Sequence, residues 1–490
     1  MQLTDRGGPR VESPVSTDRS SGIVTVLAAA GIVAALMQTL VVPLIGDLPQ
    51  ILDTTASNAS WVITITLLVG SVATPVTGRL GDLLGKRRML LFCSVPLVLG
   101  SVTCALATSL VPMIVGRGLQ GLGVGMVPLG ISALRELVPP QKLGSSIALM
   151  SATMGIGGAL GLPIVALVIQ NTSWRALFWG CVVLSVLVGV LIWRLIPATP
   201  ALAAGGRFDF VGAIGLGVGL VSLLLAVSKG AVWGWGSASI LGLFATAVIV
   251  LLVWGWWELH TADPLVDLRV TARRQVLLTN AASVVVGFAM YAQSLIVPQL
   301  LQLPEATGYG LGQSMLAMGL WMAPGGIVMM GVSPLGAKLS AARGPKVTLF
   351  VGALIVALGY GSSMVLMSSA WGLMLVVAIC GAGTGFAYGA MPALIMSAVP
   401  PSETGSANSF NTLMRSVGTS VAAAVVGVVL AQMSVAVGGG HTIPTEDGFR
   451  TGLLIGCGVA LVAAAIALAI PGRKPAPTVV EADEPVVAKV

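Results

Sequence analysis

Charged residues are scarce in this sequence. Among 490 residues, 25 are Lys or Arg and 18 are Asp or Glu, which together make 9% of the chain, whereas an ordinary soluble domain has roughly 25%. A globular protein of this size needs charge to cover its surface, but 56% of the residues here are hydrophobic. We therefore exclude a water-soluble fold and expect lipid to surround most of the chain.

Histidine and cysteine are also scarce. The two histidines, His260 and His441, fall in predicted loops, and so few histidines exclude a His-rich metal centre. The five cysteines lie inside apolar runs without a CxxC pair, so we expect them to be small buried hydrophobic residues and not disulfides or zinc ligands. No Ser/His/Asp set is visible either. These absences argue against an enzyme, and we expect no metal and no cofactor.

Long apolar runs dominate the sequence. A helix needs about 20 apolar residues to cross a hydrocarbon core of ~30 Å, and fourteen runs are long enough. They cover residues 23–45, 61–78, 89–107, 110–134, 146–170, 175–196, 210–229, 238–257, 276–302, 313–336, 347–367, 371–398, 408–434 and 451–471. The sequence therefore predicts an all-α integral membrane protein with fourteen transmembrane helices.

The basic residues between the runs predict the orientation of the chain. They lie at the ends of apolar segments, so the net charge of +7 reflects membrane topology and does not indicate a nucleic-acid partner. Only Arg175, Lys229 and Arg450 fall on the face opposite to the termini. Because cytoplasmic loops carry an excess of Lys and Arg, we expect both termini in the cytoplasm and a multi-pass protein in the cell (inner) membrane.

Two pairs of similar segments indicate duplicated halves. Segment 42–49 shares Val, Pro, Leu and Pro with 297–304, and segment 138–145 shares Val-Pro-Pro and Gly-Ser with 399–406. Duplicated bundles are typical of transporters that work by alternating access. The chain then divides into an N-terminal tail (1–22), a six-helix bundle (23–197), two inserted transmembrane helices with their linkers (198–275), a second six-helix bundle (276–471) and a C-terminal tail (472–490).

A glycine-rich basic loop follows the second span. Its glycines permit a tight turn between close helices, its basic cluster suits an anionic leaflet, and Asp82 is able to cap a helix N-terminus or pair with an arginine. We expect a gating role for Gly78, Asp82, Gly85, Arg87 and Arg88. The loop Gly78-Arg79-Leu80-Gly81-Asp82-Leu83-Leu84-Gly85-Lys86-Arg87-Arg88 resembles the signature loop of the major facilitator superfamily.

Three further segments extend the resemblance. Arg117 to Gly125 in span four is similar to the fourth-helix motif of that superfamily. Segments 258–274 and 405–418 resemble its fourteen-span drug:proton antiporter family. The resemblance implies a major facilitator fold and proton-driven export of amphipathic drugs, antibiotics or natural products. The sequence leaves two alternatives open: a lipid or lipid-like metabolite exporter or flippase of the same fold, and transport that is not coupled to protons.

The positions of the acids narrow the choice of coupling residues. None of the eighteen carboxylates falls in the middle of a predicted span, although a proton-coupled site usually needs a buried one. We therefore expect coupling to use Asp82 at the cytoplasmic gate, or Asp47 and Glu305 at the outer mouth. Arg117, a charge in the middle of a span that must face a cavity or a partner, is a further candidate.

Polar and aromatic residues within the spans predict the substrate cavity. Two embedded arginines without an embedded acid create a positive potential, which favours anionic, zwitterionic or neutral amphiphiles over lipophilic cations. We expect a monomer that binds a small amphipathic substrate, protons and membrane lipid. The predicted lining residues are Gln38, Arg117, Gln120, Asn280, Tyr291, Gln293, Trp321, Phe386, Tyr388, Asn411 and Arg415.

Overall fold

The protein is a bundle of long apolar helices. The computed structural model describes residues 17–41, 44, 47–198, 200–201, 203, 205–436 and 442–471. Within these residues, fourteen helices are long and apolar enough to cross a membrane, which confirms the predicted number of spans. Most of the two predicted tails lies outside the described residues, as does His441.

The first half of the chain forms six spans. The first helix ends at Thr39, earlier than the predicted residue 45, because the proline at position 43 has no N–H group with which to extend it. In chain order the helices are α1 (Thr17–Thr39), α2 (Leu48–Ile51), α3 (Ala56–Ala59), α4 (Trp61–Leu84), α5 (Lys86–Leu106), α6 (Leu110–Leu122), α7 (Met126–Leu137), α8 (Pro140–Asn171) and α9 (Arg175–Leu195).

Two inserted spans and a second set of six complete the chain. A short antiparallel hairpin, which the sequence analysis did not predict, precedes the last helix. The elements are α10 (Phe210–Trp233), α11 (Ala238–His260), α12 (Leu268–Thr271), α13 (Arg274–Gln302), α14 (Met315–Arg343), α15 (Pro345–Leu366), α16 (Ala370–Ala398), α17 (Thr404–Gln432), β1 (Ser434–Ala436), β2 (Thr442–Pro444) and α18 (Glu446–Ala469).

Span four is not the continuous helix that the sequence predicts over 110–134. A short 3-10 turn, Gly123–Gly125, separates α6 from α7. Pro128 lacks the N–H group that would bond to the carbonyl of Val124 in an α-helix, and the glycines of the turn have little intrinsic helix preference. The fourth span is therefore two short helices joined in line.

Several helices extend beyond their predicted ends and include charged residues. Helix α11 continues to His260, so the prediction that this histidine lies in a loop is wrong. Glu258, in the same last turn, is only 2% exposed, and its Oε2 accepts a hydrogen bond from the N–H of Val266 at 3.4 Å. Asp82 likewise lies inside α4, which continues to Leu84.

The inserted helices pack against both halves of the molecule. Helix α10 contacts α4 of the first half and α17 of the second. Near one end of α10, Lys229 donates a hydrogen bond from Nζ to Ser60 Oγ at 2.7 Å and lies 4.6 Å from the ring centre of Trp61. At the other face, Arg79 on α4 pairs with Asp263 after α11, with Nη2 and Oδ1 3.8 Å apart. The inserted pair is thus fastened to α4 near both membrane faces.

One backbone conformation recurs in the two halves. Gly85 joins α4 to α5 with φ 95°, and Gly344 joins α14 to α15 with φ 86°. This left-handed region is readily open only to glycine. The equivalent turn in each half therefore requires glycine at the same place, as expected for duplicated bundles.

The halves meet along a small set of helix pairs. Extensive packing joins α4 and α7 to α17, and α8 to α14 and α16. Glycines allow the backbones to approach. A side chain at Gly78 would overlap Gly405 and Ser409, and a side chain at Gly326 would overlap Gly155. We call the face that carries the α4–α5, α7–α8 and α14–α15 junctions the basic face.

We expect Gly418→Ala to destabilise the second half. A Cβ atom at position 418 would overlap the carbonyl oxygen of Val284 on α13, and such overpacking typically costs about 1–3 kcal/mol. Gly427→Ala, in the same helix but with open space around it, is the matched control. Because four of the five cysteines are buried, a thiol-reactive dye reports the melting temperature. Equal melting temperatures of the two variants would contradict this packing.

Candidate functional site

Asp82 connects the two halves at the basic face. Its carboxylate is 2% exposed and accepts hydrogen bonds from the backbone N–H groups of Gly405 at 3.0 Å and Ser406 at 2.8 Å. Both groups belong to the first turn of α17, where N–H groups have no partner within the helix. The positive end of the helix dipole also favours a carboxylate there. Asp82 thus caps a helix of the opposite half.

Neighbouring residues support this contact. Lys86, which is also buried, donates a hydrogen bond to Asp82 Oδ1, and its Nζ lies 3.9 Å from Glu136 Oε1. Arg135 donates from Nη1 to Thr404 Oγ1 at 2.8 Å and to the carbonyl of Val399 at 3.3 Å. These bonds form a second link between the halves. The contacts of Asp82 and Arg135 with the start of α17, together with the pair of Lys86 with Asp82, are called the basic-face latch below.

The other predicted gate residues have different roles. Gly78 allows α4 to pack closely against α17, because a side chain at this position would overlap α17. Gly85 forms the turn after α4. Arg87 donates a hydrogen bond to the carbonyl of Trp193 at the end of α9, and Arg88 is exposed. Arg87 therefore bonds within the first half, and neither arginine is part of the latch.

A small cavity lies between the halves beside the latch. Its volume of about 10 Å³ is close to the lower limit for holding one water molecule. Polar groups come from α8, α16 and α17, and apolar side chains come chiefly from α7. The cavity is lined by Val127, Pro128, Ile131, Ser151, Met154, Tyr388, Pro392, Asn408, Thr412 and Arg415.

Arg415 is the charged residue of this cavity. It is 7% exposed, and its Cζ lies 4.5 Å from the ring centre of Tyr388. Its Nη2 lies 3.4 Å from Thr412 Oγ1 and 3.8 Å from Met154 Sδ. None of the ion pairs within the described residues includes Arg415. The cation is thus held by an aromatic face, a hydroxyl and a sulfur atom.

A buried amide network lies next to this cavity. Asn411 donates from Nδ2 to Asn280 Oδ1 at 2.9 Å and to Ser283 Oγ at 2.7 Å. Each of these residues is less than 5% exposed. The network joins α17 to α13 within the second half. The structure therefore brings together four of the predicted lining residues, Asn280, Tyr388, Asn411 and Arg415, although only Tyr388 and Arg415 line the cavity itself.

Arg117 lies inside the first half, apart from the cavity described above. Its guanidinium, 1% exposed, donates to the carbonyl of Met37 at 2.8 Å, to Gln120 Oε1 at 2.6 Å and to the carbonyl of Val62 at 3.3 Å. Met37 lies in the last turn of α1, where carbonyl groups lack helical partners and a cation is favoured. Arg117 therefore caps α1 and does not line the cavity.

The remaining predicted lining residues also lie elsewhere. Gln120 donates to Ser101 Oγ at 2.9 Å. Gln38 bonds weakly to its own helix, and Gln293 and Tyr291 pack inside the second half. Trp321 donates to Gln313 Oε1 at 2.9 Å, and Phe386 packs against α14. Helical spacing groups residues by face but does not show which face meets the other half.

Sequence reasoning missed several residues of the site. Ser151 and Met154 on α8 carry no motif, and Thr412 was not singled out on α17. Arg135 was counted only as a topology signal. Asp47 and Glu305, which were expected at the outer mouth, are both exposed and lie at the face opposite to the latch. Only contacts across the interface between the halves could identify the missed residues.

The architecture defines the class of protein. Two six-span bundles with a repeated turn, an interface that is closed by polar contacts at one face and a cavity between the bundles are the features of a membrane transporter. The sequence profile of the Major Facilitator Superfamily matches residues 27–423, and the chain belongs to that family. Its members are transporters and not enzymes, and the protein is a multi-pass protein of the cell membrane.

Several bacterial transporters are similar in sequence to this chain. The MFS-type transporter Rv1877 of Mycobacterium tuberculosis strain H37Rv is 31% identical over 431 residues, covering 86% of this chain and 61% of that relative. Multidrug resistance protein Stp of the same organism is 28% identical and covers 76% and 68%. Multidrug transporter protein MdtP of Bacillus subtilis is 25% identical and covers 84% and 74%. The chain thus spans about three fifths of the length of Rv1877.

A solved structure shows the same fold. The crystal structure of the human organic anion transporter MFSD10 (TETRAN) matches with a TM-score of 0.65 and 15% sequence identity, covering 91% of this chain and 99% of that one. At this identity, the similarity concerns the arrangement of helices alone.

We expect the two embedded arginines to contribute differently to stability. Arg117→Gln removes charged hydrogen bonds to three oxygen atoms and should lower the free energy of unfolding by roughly 2–4 kcal/mol. Arg415→Gln removes one long hydrogen bond and a ring contact and should cost about 1 kcal/mol or less. Thermal melting of both variants in detergent checks this difference. A larger loss for Arg415→Gln would show that its role is mainly structural.

Proposed function

We propose that the protein exports amphipathic drugs, antibiotics or natural products across the cell membrane by alternating access. The observation that carries the proposal is the polar latch between the halves beside a cavity that contains a buried charge. Such a latch can be broken and re-formed without disturbing either bundle. The multidrug transporters among the relatives support drug-like substrates.

The excess of Lys and Arg at the basic face supports a cytoplasmic location for that face. On this assignment both termini are cytoplasmic. With the latch closed, the cavity is sealed from the cytoplasm by Asp82, Arg135 and the start of α17. Release of the latch would open the cavity to the compartment from which an exporter collects its substrate.

Proton coupling is the finer part of the proposal. Asp82 is the buried member of the predicted carboxylates, and its charge interacts with the positive end of α17. Protonation of Asp82 would remove this charge and weaken the latch. Asp47 and Glu305 are solvent-exposed and lie at the face opposite to the latch, so their protonation would act on the latch less directly. Arg117 cannot exchange a proton, so its part in coupling would be to hold α1, α4 and α6 in place.

A lateral groove favours lipid-like substrates as the alternative. The groove has a volume of about 540 Å³ and is lined by apolar residues of α4 and α5, with Leu122 and Val221 at its sides. Phe92 at its rim is 61% exposed. An apolar surface of this kind accommodates an acyl chain or a substrate that arrives from the bilayer. A lipid exporter or flippase of the same fold would use it.

Transport by the purified chain in proteoliposomes tests the function. The vesicles have an acidic lumen. Protein molecules whose basic face points outward should then carry the amphiphile into the lumen in exchange for protons that leave it. Ethidium and pyrene-1-sulfonate serve as the cationic and anionic probes, and a proton ionophore is the control. Accumulation that survives the ionophore would reject proton coupling. Absence of transport for both probes, together with transport of a fluorescent phospholipid, would favour the lipid alternative.

We expect Asp82→Asn to loosen the basic-face latch. The variant loses the charge that caps α17 and the pair with Lys86, an effect of about 1 kcal/mol or more. A cysteine introduced by Thr412→Cys should then react roughly fivefold faster with an impermeant maleimide in inside-out vesicles. Asp263→Asn, which weakens the pair with Arg79 and the hydrogen bond from the N–H of Arg207 but leaves Asp82, Lys86 and Arg135 unchanged, is the control. Equal labelling rates in the two variants would contradict a latch function for Asp82.

A further inference from the structure

The two embedded arginines are satisfied to different degrees. Arg117 donates to three oxygen atoms, so its charge is well compensated. Among the described residues, Arg415 meets only the hydroxyl of Thr412, the sulfur of Met154 and the ring of Tyr388. A buried cation without an anionic partner is costly unless other groups replace its hydration. This difference marks Arg415 as a cation that lacks a ligand.

Two more polar groups of the same cavity lack partners. Ser151 Oγ and Asn408 Oδ1 form no hydrogen bond within the described residues, and both residues are 3% exposed. Ser151 belongs to the first half, whereas Asn408 and Arg415 belong to the second. Unpaired polar atoms at such depth are uncommon. They converge with Arg415 on one cavity, so a single molecule bound there could contact both halves.

The lining of the cavity also favours a ligand with an apolar part and disfavours a cationic ligand. Val127, Pro128, Ile131 and Pro392 form its apolar side. No Asp or Glu is among the ten described residues that line it, so a cationic group would have no counter-charge. The arrangement suits a molecule with an acidic group, a neighbouring hydrogen-bond donor for Asn408 Oδ1 and an apolar remainder.

We propose that Arg415 is the anion-binding residue of the transport cavity and that the substrate is an amphipathic acid. This inference rests on the proposed export function and names its substrate class. The carboxylate or sulfonate of the substrate binds Arg415 when the halves separate at the basic face. When they close, the ring of Tyr388 covers the guanidinium, and the remaining volume of about 10 Å³ has no room for the substrate. Closure therefore exchanges the anion for an aromatic face and favours release.

Three probes with the same apolar body test the proposal. Pyrene-1-sulfonate, 1-pyrenemethanol and 1-pyrenemethylammonium carry an anionic, a neutral and a cationic group. Energy transfer from tryptophan to pyrene measures the Kd of each probe for the full chain in nanodiscs. The variants are Arg415→Gln, Arg415→Lys and Ser151→Ala, with Arg450→Gln as the control because Arg450 pairs with Glu446 at the opposite face.

The wild-type chain should bind the sulfonate more tightly than the other two probes. Arg415→Gln should weaken sulfonate binding roughly tenfold to hundredfold, the range expected for hydrogen bonds to a charged group, and should change the Kd of the alcohol by less than about twofold. Arg415→Lys should restore part of the loss because it keeps the charge. Ser151→Ala should weaken the binding of the sulfonate by a smaller factor. Arg450→Gln should leave the Kd of all three probes unchanged.

Each contrary result has a distinct meaning. An unchanged sulfonate Kd in Arg415→Gln, with the protein folded by its melting temperature, would overturn the assignment of Arg415. Equal losses for all three probes would also overturn it, since they would show a structural effect. If the alcohol or the ammonium probe is transported while Arg415 has no influence on the sulfonate, the export function stands and this inference falls. If no probe binds or is transported, both fall.

Discussion

The hydrogen bonds between the Asp82 carboxylate and the start of α17 join the two halves at the basic face. Helices in lipid gain little from burying apolar surface against one another, so their contacts rely on close packing and polar groups. Asp82 meets two N–H groups that no other residue of α17 can satisfy. The close approach of Gly78 to Gly405 and the bond of Arg135 to Thr404 lie beside this contact, and in the mechanism that we propose these contacts together close the cavity.

Buried charge is used in two ways in this fold. Arg117 donates to the carbonyl of Met37 at the end of α1, to the carbonyl of Val62 at the start of α4 and to Gln120 Oε1 in its own helix, so its charge is compensated within the first bundle. Arg415 lies at the interface between the bundles with a ring and a hydroxyl for partners. Both positions expel a guanidinium from water, which is costly. The free-energy cost of burying Arg117 is offset by hydrogen bonds within one bundle. The cost of burying Arg415 depends on how the two bundles meet.

The composition and apolar runs sufficed to predict the number of spans, whereas the family resemblance and the helix-capping capacity of Asp82 came from local motifs such as the loop 78–88. Neither the runs nor the motifs predicted all of the local structure. They did not predict the break at Gly123–Gly125, because hydropathy does not report backbone hydrogen bonding. The partners of Arg117 could not be identified from the sequence for a related reason. A charge within a span must meet a partner, but the sequence does not show that the partner is the end of α1. Arg135, Ser151 and Met154 were missed because their importance comes from contacts across the interface.

The inserted helices change the mechanics of such a molecule. Helix α10 is fastened to α4 by Lys229 and Ser60 near one membrane face, and the segment after α11 is tied to α4 by Arg79 and Asp263 at the other. Its contact with α17 involves apolar packing. The first six spans and the inserted pair would then move as one unit of eight helices against a unit of six. In the alternating-access cycle that we propose, the two moving masses would be unequal, so the larger would displace more lipid and α17 would slide along α10.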